Sequence, residues 1–132
     1  NGALGKGTLD PKTRERVALA VAQANGCDYC LAAHTYLGKN VAKLDDAEIA
    51  KNRAGSSSDA KADAAVRFAV RVVSQRGHIG DDDVRTVREA GYSDAQIVEL
   101  VLHVALNTLT NYVNNVATTV VDFPATSPAR AA

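Results

Sequence analysis

Apolar residues recur through most of this sequence at the spacing of three and four that places them on one face of an α-helix. The pattern is clearest over residues 59–75, where alanines and valines in helical register oppose a charged, solvated side. No stretch alternates with the period of two that is typical of a β-strand. The sequence therefore predicts an all-α fold, a bundle of about six helices with no sheet.

Capping residues and glycines divide the chain into these helices. The predicted helices start near residues 10, 27, 45, 59, 81 and 93, and the last one continues to about residue 121. Asp10 before a proline is typical of a helix start, and Asp45 with Glu48 predicts a capping box. We expect Gly38 to close the second helix in a left-handed conformation.

The first and last helices carry the most distinctive patterns. Residues 17–22 read VALAVA, which is apolar on every face and predicts a helix in the middle of the bundle. The last helix is also a core helix, yet polar residues share one side of it: His103, Asn107, Thr110, Asn111 and Asn114. Such a stripe needs hydrogen-bond partners. We favour a subunit interface or a buried polar network over the wall of an active site, with His103 a satisfied histidine.

Length and charge limit the class of protein. The 132 residues fit one domain, 1–132, with a flexible lead at residues 1–8 and a flexible tail at residues 125–132. Fifteen basic and fifteen acidic residues cancel, so no global field attracts nucleic acid, and the apolar runs are too short for a membrane span. Because the chain starts at Asn1 without a methionine or a leader, we expect a fragment or a processed form missing an N-terminal segment.

Both cysteines lie in the stretch NGCDYCLAAHTYLG at residues 25–38. If a helix begins near Cys27, the helical period places Cys27, Cys30 and His34 on one narrow stripe. A Cys-x-x-Cys pair in a first helical turn meets the positive end of the helix dipole and unpaired N–H groups, which favour the thiolate. Two cysteines this close cannot staple distant segments. The pattern therefore predicts a reactive dithiol with a redox or metal role in the cytosol.

Glu15 is the candidate partner of this dithiol on the preceding helix. It shares a stripe with Leu19 and the residues leading to the cysteine turn, so we expect its carboxylate to point that way. Its neighbours Arg14 and Arg16 are expected to point elsewhere. On composition alone Glu15 would be a surface residue paired with Lys12 or Arg16, and its stripe is what favours a functional role.

A Cys-x-x-Cys pair with a nearby histidine also fits half of a zinc site, completed by Glu15, His78 or His103. We favour redox chemistry because both cysteines and the nearby histidine share one helix, whereas four-ligand zinc sites usually draw on two separate segments. Leu31 after Cys30 excludes covalent haem attachment, and no cofactor or metal is expected. The alternative hypothesis is a redox-sensing or zinc-binding helical module without catalytic turnover.

Glu15, eleven intervening residues, the tetrapeptide CDYC, three residues and His34 resemble the signature of the AhpD-like alkylhydroperoxidases in the carboxymuconolactone decarboxylase superfamily. The runs VALAVAQANGCDYCLAAHTYLGK and HVALNTLTNYVNNVA extend the resemblance from Leu9 to Phe123. The resemblance implies an all-helical fold, thiol peroxidase chemistry and a homotrimer or homohexamer. Lactone decarboxylation, which occurs elsewhere in the superfamily, has no need of paired thiols.

Carried over by position, the resemblance implies that Cys30 attacks the peroxide and that Cys27 resolves the sulfenic acid. Glu15 and His34 would relay protons. Tyr29 departs from the founding enzyme of the family, which has a histidine before the attacking cysteine, so a water or the Tyr29 hydroxyl would have to substitute. The predicted function is a cytoplasmic thiol peroxidase that reduces hydrogen peroxide or small organic hydroperoxides. A dithiol donor of lipoyl or thioredoxin type would supply the electrons.

Overall fold

The computed structural model describes residues 2–129, and within that range the chain forms six α-helices and no strand. The helices are α1 (Pro11–Ala24), α2 (Asp28–Asn40), α3 (Asp46–Arg53), α4 (Ala60–Ser74), α5 (Asp81–Glu89) and α6 (Asp94–Ala117). A short 3-10 turn at Leu4–Lys6 precedes them. The predicted all-α fold is confirmed, and each helix starts within one residue of its predicted position.

Helix α1 lies at the centre of the bundle, as its all-round apolar pattern predicts. It packs against α2, α3, α4 and α6, which leaves the side chains of residues 17–22 buried. Val17 and Val21 join one core cluster with α4, α5 and α6. Leu19 and Ala22, on the other side of α1, join a second cluster that contains both cysteines and residues of α2 and α3. The cysteines therefore belong to the packed core beside α1.

Side-chain caps explain where the helices begin. Asp10, Asp45, Asp59 and Ser93 each accept a hydrogen bond from the backbone N–H three residues further on. Each cap satisfies one of the N–H groups that a helix start leaves unpaired. The predicted box at Asp45 is only half formed, because the Glu48 carboxylate accepts its hydrogen bonds from other groups.

The prediction that Gly38 caps the second helix is wrong. Helix α2 continues through Gly38 to Asn40, and the glycine is buried inside the helix. A Cβ at this position would lie 3.5 Å from Leu44 Cδ1 and 3.7 Å from Ile49 Cδ1. These are ordinary van der Waals distances, so Gly38 lies in the packed contact between α2 and the segment that follows it, which the local sequence does not reveal. Helix α6 also ends before residue 121, at a left-handed Thr118 with φ of 48°.

The segment before α1 is held by a buried carboxylate of α6. Glu99 accepts hydrogen bonds from the backbone N–H of Thr8 at 2.9 Å and of Leu9 at 3.2 Å. The Leu9 side chain is buried in the core beside α1. Of the predicted flexible lead and tail, residue 1 and residues 130–132 lie outside the described range.

The segment after α6 turns back along α2. The Phe123 ring packs against Tyr29 and Tyr36, with ring centroids 5.7 Å and 5.8 Å away. The backbone N–H of Ala129 donates a 2.7 Å hydrogen bond to Asp28 Oδ1, and the Arg53 guanidinium binds the backbone and side chain of residue 127. These contacts place residues 123–129 over the start of α2. None of the described helices has the length and apolar character that a membrane crossing requires.

Candidate active site

The two cysteines sit at the start of α2 and are joined in a disulfide. Cys27 is the N-cap residue, and its Sγ accepts a hydrogen bond from the Cys30 backbone N–H at 3.2 Å. Cys30 lies in the first helical turn, with the two Cα atoms 5.3 Å apart. The helix start predicted near Cys27 is therefore present, and both sulfurs lie at the positive end of the helix dipole.

Both sulfurs are covered by protein. Cys27 is completely buried and Cys30 is 4% exposed. The side-chain amide of Asn114 on α6 donates to Cys30 Sγ at 3.5 Å, so each sulfur has one hydrogen-bond donor. Donors of this kind and the helix dipole stabilise a thiolate once the disulfide is reduced. One residue of the predicted polar stripe on α6 therefore borders the cysteine turn.

Glu15 and His34 form an ion-pair geometry across α1 and α2. His34 Nδ1 lies 2.8 Å from Glu15 Oε2, and the two side chains are 22% and 20% exposed. Glu15 therefore pairs with the histidine rather than with Lys12 or Arg16 at the surface. A carboxylate on Nδ1 orients the imidazole and leaves Nε2 free to accept or donate a proton.

The relation between the imidazole and the disulfide follows from helix geometry. His34 is four residues after Cys30 on α2, so the two side chains lie on one face, with Cβ atoms about 5–6 Å apart. Within residues 2–129 no hydrogen bond joins His34 to either sulfur. A disulfide has no proton to share, and catalytic hydrogen bonds are often loose before substrate binds. The structure thus pairs Glu15 of α1 with His34 of α2, and it places His34 one turn after the Cys27–Cys30 pair at the start of α2.

A cavity of about 310 Å³ opens between α1, α2 and α6 beside this pair. Its polar lining consists of Arg14, Glu15, His34, His103 and Asn107. Apolar side chains, among them Leu37, Val41 and Leu106, form the remaining wall. The cavity therefore places a small mixed polar and apolar space against the imidazole that follows the cysteine turn.

Two residues at this cavity were misjudged from the sequence. Arg16 points elsewhere as expected and binds Glu48 at 2.8 Å, but Arg14 lines the same cavity as Glu15. His103 is buried, yet its Nε2 has no hydrogen-bond partner and lies 3.8 Å from Glu99 Oε1. The expectation of a satisfied histidine is therefore wrong. The polar stripe on α6 was the signal that could have placed His103 in the site.

The charge state of His103 follows from its surroundings. Burial lowers the pKa of His103 below the ordinary value, against the opposing attraction of the Glu99 carboxylate. The nearby Arg14 guanidinium lowers it further. His103 is therefore a neutral ring at pH 7, able to donate one hydrogen bond and accept another.

The zinc alternative needs a third and fourth ligand beside the sulfurs. In the described part of the chain, no three His, Cys, Asp or Glu side chains come together in a way that could hold a metal ion. His78 is exposed in the loop between α4 and α5, and His103 lines the cavity, which does not include a cysteine. Neither candidate ligand is therefore gathered with the cysteine pair.

Two solved structures with the same fold are bacterial proteins. One, an uncharacterized peroxidase-related protein from Silicibacter sp. TM1040, is 23% identical with a TM-score of 0.78 over 88% of this chain. Another, described as an alkylhydroperoxidase AhpD core and uncharacterized peroxidase-related protein from Ralstonia eutropha JMP134, is 21% identical with a TM-score of 0.76 over 92%. The chain spans 62% and 63% of the length of these two structures. Among curated proteins, none matches with significance.

Comparison of the sequence with family models identifies the family of this chain. The model of the carboxymuconolactone decarboxylase family matches residues 1–75, more than half of the chain. The matched region contains α1, α2 and α3, and with them Glu15, both cysteines and His34. The AhpD-like fold of the two bacterial structures agrees with this match. The chain therefore belongs to the carboxymuconolactone decarboxylase family.

Proposed function

We propose that this protein is a thiol-dependent peroxidase that reduces hydrogen peroxide or small organic hydroperoxides. The observation that carries the proposal is the Cys27–Cys30 pair at the start of α2, one turn before an imidazole that a carboxylate holds at 2.8 Å. Membership of a family with peroxidase-related relatives supports it. A dithiol beside an oriented proton carrier is what reduction of an O–O bond requires.

The proposed reaction begins with the reduced protein. The Cys30 thiolate attacks the terminal oxygen of the hydroperoxide, the O–O bond breaks, and the departing alkoxide takes a proton from His34. Cys30 becomes a sulfenic acid. The Cys27 thiol then attacks its sulfur, which forms the disulfide and releases water. A dithiol donor of lipoyl or thioredoxin type returns both cysteines to thiols and is itself oxidised to a disulfide.

Glu15 and His34 act together in this scheme. The Glu15 carboxylate lies 2.8 Å from Nδ1 of His34 and orients the ring, so that Nε2 is the atom that exchanges a proton with the leaving oxygen. The Tyr29 ring packs edge-on against Phe123, which supports a packing role for this tyrosine and leaves the proton transfer to His34. The local disulfide closes only a short loop and adds little to the stability of the fold, which suits a bond that must be made and broken repeatedly.

Assembly and location form part of the same proposal. A row of apolar side chains on α6 is exposed: Val98, Val101, Leu102, Leu109, Tyr112, Val113 and Val116. Exposed apolar area of this kind is typical of a protein interface. We expect this face to join copies of the chain in a homotrimer or homohexamer in the cytoplasm. A monomer in multi-angle light scattering would contradict the assembly.

Trapping of the intermediate tests the proposed roles. In the Cys27→Ser variant the sulfenic acid has no resolving thiol, so dimedone after one equivalent of hydroperoxide should label Cys30 in mass spectrometry. The Cys30→Ser variant is the matched control and should consume no peroxide. Dimedone on Cys27 in that control would reverse the two roles. Absence of peroxide consumption by the wild type with any dithiol donor would rule out the peroxidase.

The burial of both sulfurs favours a second candidate, a redox-sensing or zinc-binding module without turnover. Reactive cysteines are usually accessible, and here the segment after α6 covers the start of α2. Such a module would form the disulfide once and would show no repeated peroxide consumption. One equivalent of zinc in the purified protein, lost in Cys30→Ser, would support this candidate against the peroxidase.

A further inference from the structure

Arg14 is a half-buried arginine without a counter-ion. Among the arginines of residues 2–129, only Arg14 and the exposed Arg76 form neither an ion pair nor a side-chain hydrogen bond. The Nε atom of Arg14 is buried and has no acceptor. An unpartnered guanidinium that is partly removed from water raises the free energy of the folded state. A ligand that supplies an anion would remove that cost.

Two carboxylates at or beside this cavity, Glu15 and Glu99, already accept hydrogen bonds. Glu15 accepts from His34, and Glu99 accepts from the backbone N–H groups of Thr8 and Leu9. Neither glutamate lies within ion-pair distance of the Arg14 guanidinium. The positive charge of Arg14 is therefore left uncompensated at the edge of the cavity between α1, α2 and α6.

Two further polar groups of the cavity are available to a ligand. The His103 ring is buried, and within residues 2–129 its Nε2 forms no hydrogen bond, with Glu99 Oε1 3.8 Å away. The side-chain amide of Asn107 donates to the backbone carbonyl of His103, which leaves its oxygen without a protein donor. These groups can complete the hydrogen bonds of a bound molecule whose charged end lies on Arg14.

Size and lining restrict the ligand. A cavity of about 310 Å³ is at the small end of ligand sites, and its apolar wall includes Leu37, Val41 and Leu106. It accommodates a short aliphatic chain rather than a lipid tail. Because His34 lines the cavity one turn after Cys30, a ligand anchored on Arg14 extends toward the proposed proton carrier.

We propose that this cavity binds the carboxylate end of short hydroperoxy acids, with Arg14 as the residue that binds the carboxylate. Neither sulfur lines the cavity, so the peroxide end would reach past His34 toward Cys30, one helical turn away. The inference rests on the proposed peroxidase function, since His34 would protonate the leaving oxygen of the bound hydroperoxide. Arg14 is a specificity-determining residue in this scheme. The planar guanidinium suits a carboxylate because it can bind both oxygens together.

A binding experiment tests the site without any turnover. Hexanoate should cause saturable NMR shifts in the rings of His34 and His103 of the oxidised protein, and hexanamide, the neutral molecule of equal length, should not. Arg14→Gln should weaken hexanoate binding by about tenfold, the loss expected for one hydrogen-bonded charge. Arg14→Lys should recover part of it. Arg67→Gln is the control, because Arg67 is exposed on α4 and paired with Asp63.

Equal shifts with hexanoate and hexanamide, or unchanged hexanoate binding in Arg14→Gln, would overturn the proposed site. A urea titration of Arg14→Gln establishes that the variant is folded. If Arg14→Gln is unfolded, Arg14→Lys is the variant to test, because it keeps the positive charge but cannot bind both carboxylate oxygens as a planar guanidinium does. Weaker hexanoate binding in Arg14→Lys supports the site, and unchanged binding contradicts it.

A kinetic experiment links the site to the reaction. We expect kcat/KM for a short hydroperoxy acid to exceed that for its methyl ester by about tenfold in the wild type. The ratio should fall toward one in Arg14→Gln. Turnover of acid and ester at equal rates would refute the carboxylate site and leave the peroxidase standing. Specific hexanoate binding without turnover of any hydroperoxide would refute the peroxidase and leave the site standing.

Discussion

Two glutamates, Glu48 on α3 and Glu15 on α1, differ in how many groups bind their carboxylates. Glu48 accepts hydrogen bonds from Arg16 Nε at 2.8 Å, from Asn52 Nδ2 at 2.9 Å, from the Ser58 N–H at 2.9 Å and from the Ser57 hydroxyl. Within residues 2–129, Glu15 has one hydrogen-bond partner, His34. Four hydrogen-bond donors fix the Glu48 carboxylate in place. The Glu15 carboxylate is held by the His34 ring alone among the described residues.

The difference separates a structural carboxylate from a chemical one. Burial alone would raise the pKa of Glu48, but the hydrogen bonds from Ser57, Asn52 and Ser58 outweigh it and lower the pKa to about 2. Glu48 is therefore always ionised at neutral pH and joins α1 to α3 and the loop before α4. Glu15 lies at an open cavity with Arg14 and His103, whose polar atoms lack partners. Unsatisfied polar groups at a cavity mark the place where a ligand can act.

The largest expected effect is on stability. Glu48→Gln keeps the size of the side chain but leaves Arg16 without its charge partner, and we expect a loss of about 3 kcal/mol in the free energy of unfolding. Glu15→Gln, the matched substitution on α1, should cost no more than about 1 kcal/mol, because it disturbs one partly exposed pair. Urea unfolding of both oxidised variants measures the two losses in the free energy of unfolding. Equal losses would contradict the interpretation that Glu48 is structural and Glu15 is not.

The pH dependence of stability tests the same carboxylate. Because the folded-state pKa of Glu48 is about 2 and its ordinary value is 4.5, its contribution is fully present above pH 4.5 and is lost as the pH falls toward 2. The shift corresponds to about 3 kcal/mol. The gap in unfolding free energy between wild type and Glu48→Gln should therefore close between pH 4.5 and pH 2. A constant gap over that range would contradict the lowered pKa.

We expect Glu15→Gln to reduce activity more than Glu48→Gln does, the reverse of their order in stability. Glu15→Gln removes the charge that orients and polarises His34, and we expect kcat/KM for hydroperoxide to fall about 100-fold, the low end for loss of acid–base catalysis. Glu48→Gln, assayed at a temperature at which it remains folded, should retain most of the activity. Full activity of Glu15→Gln would contradict the proposed role of Glu15 in catalysis.

The smallest expected effect concerns the neighbouring arginines. Arg16→Gln breaks the pair with Glu48 and should cost about 1.5 kcal/mol in the free energy of unfolding. Arg14→Gln breaks no hydrogen bond within residues 2–129 and removes an unpartnered charge, so we expect a small gain in stability or a loss below about 0.5 kcal/mol. Urea titrations of the two variants compare them directly. A large loss in Arg14→Gln would indicate a structural partner and would weaken its assignment as a ligand group.

The sequence predicted which face of its helix most residues occupy, but it predicted only some of the contacts that those faces make. The all-round apolar run in α1 predicted a central helix. The stripe through Glu15 predicted that its carboxylate points to the cysteine turn, and in the structure it binds His34, one turn after Cys30. Arg14 was misplaced because consecutive residues on a helix point 100° apart, and the crevice between α2 and α6 is wide enough to receive both. Gly38 was misjudged because α2 continues through it to Asn40, where it packs against Leu44 and Ile49 of a later segment.

The sequence by itself determined the helices, the burial of α1 and the gathering of both cysteines at one helix start, because these features depend on periodicity and capping within a few residues. Only the tertiary structure decided that Glu15 meets His34 and that residues 123–129 cover the start of α2. Those contacts join segments up to 101 positions apart. The tertiary structure also decided that, within residues 2–129, His103 Nε2 and Arg14 Nε are buried without a hydrogen bond. Local pattern specifies which face a residue occupies, and the packing of all helices together specifies what that face meets.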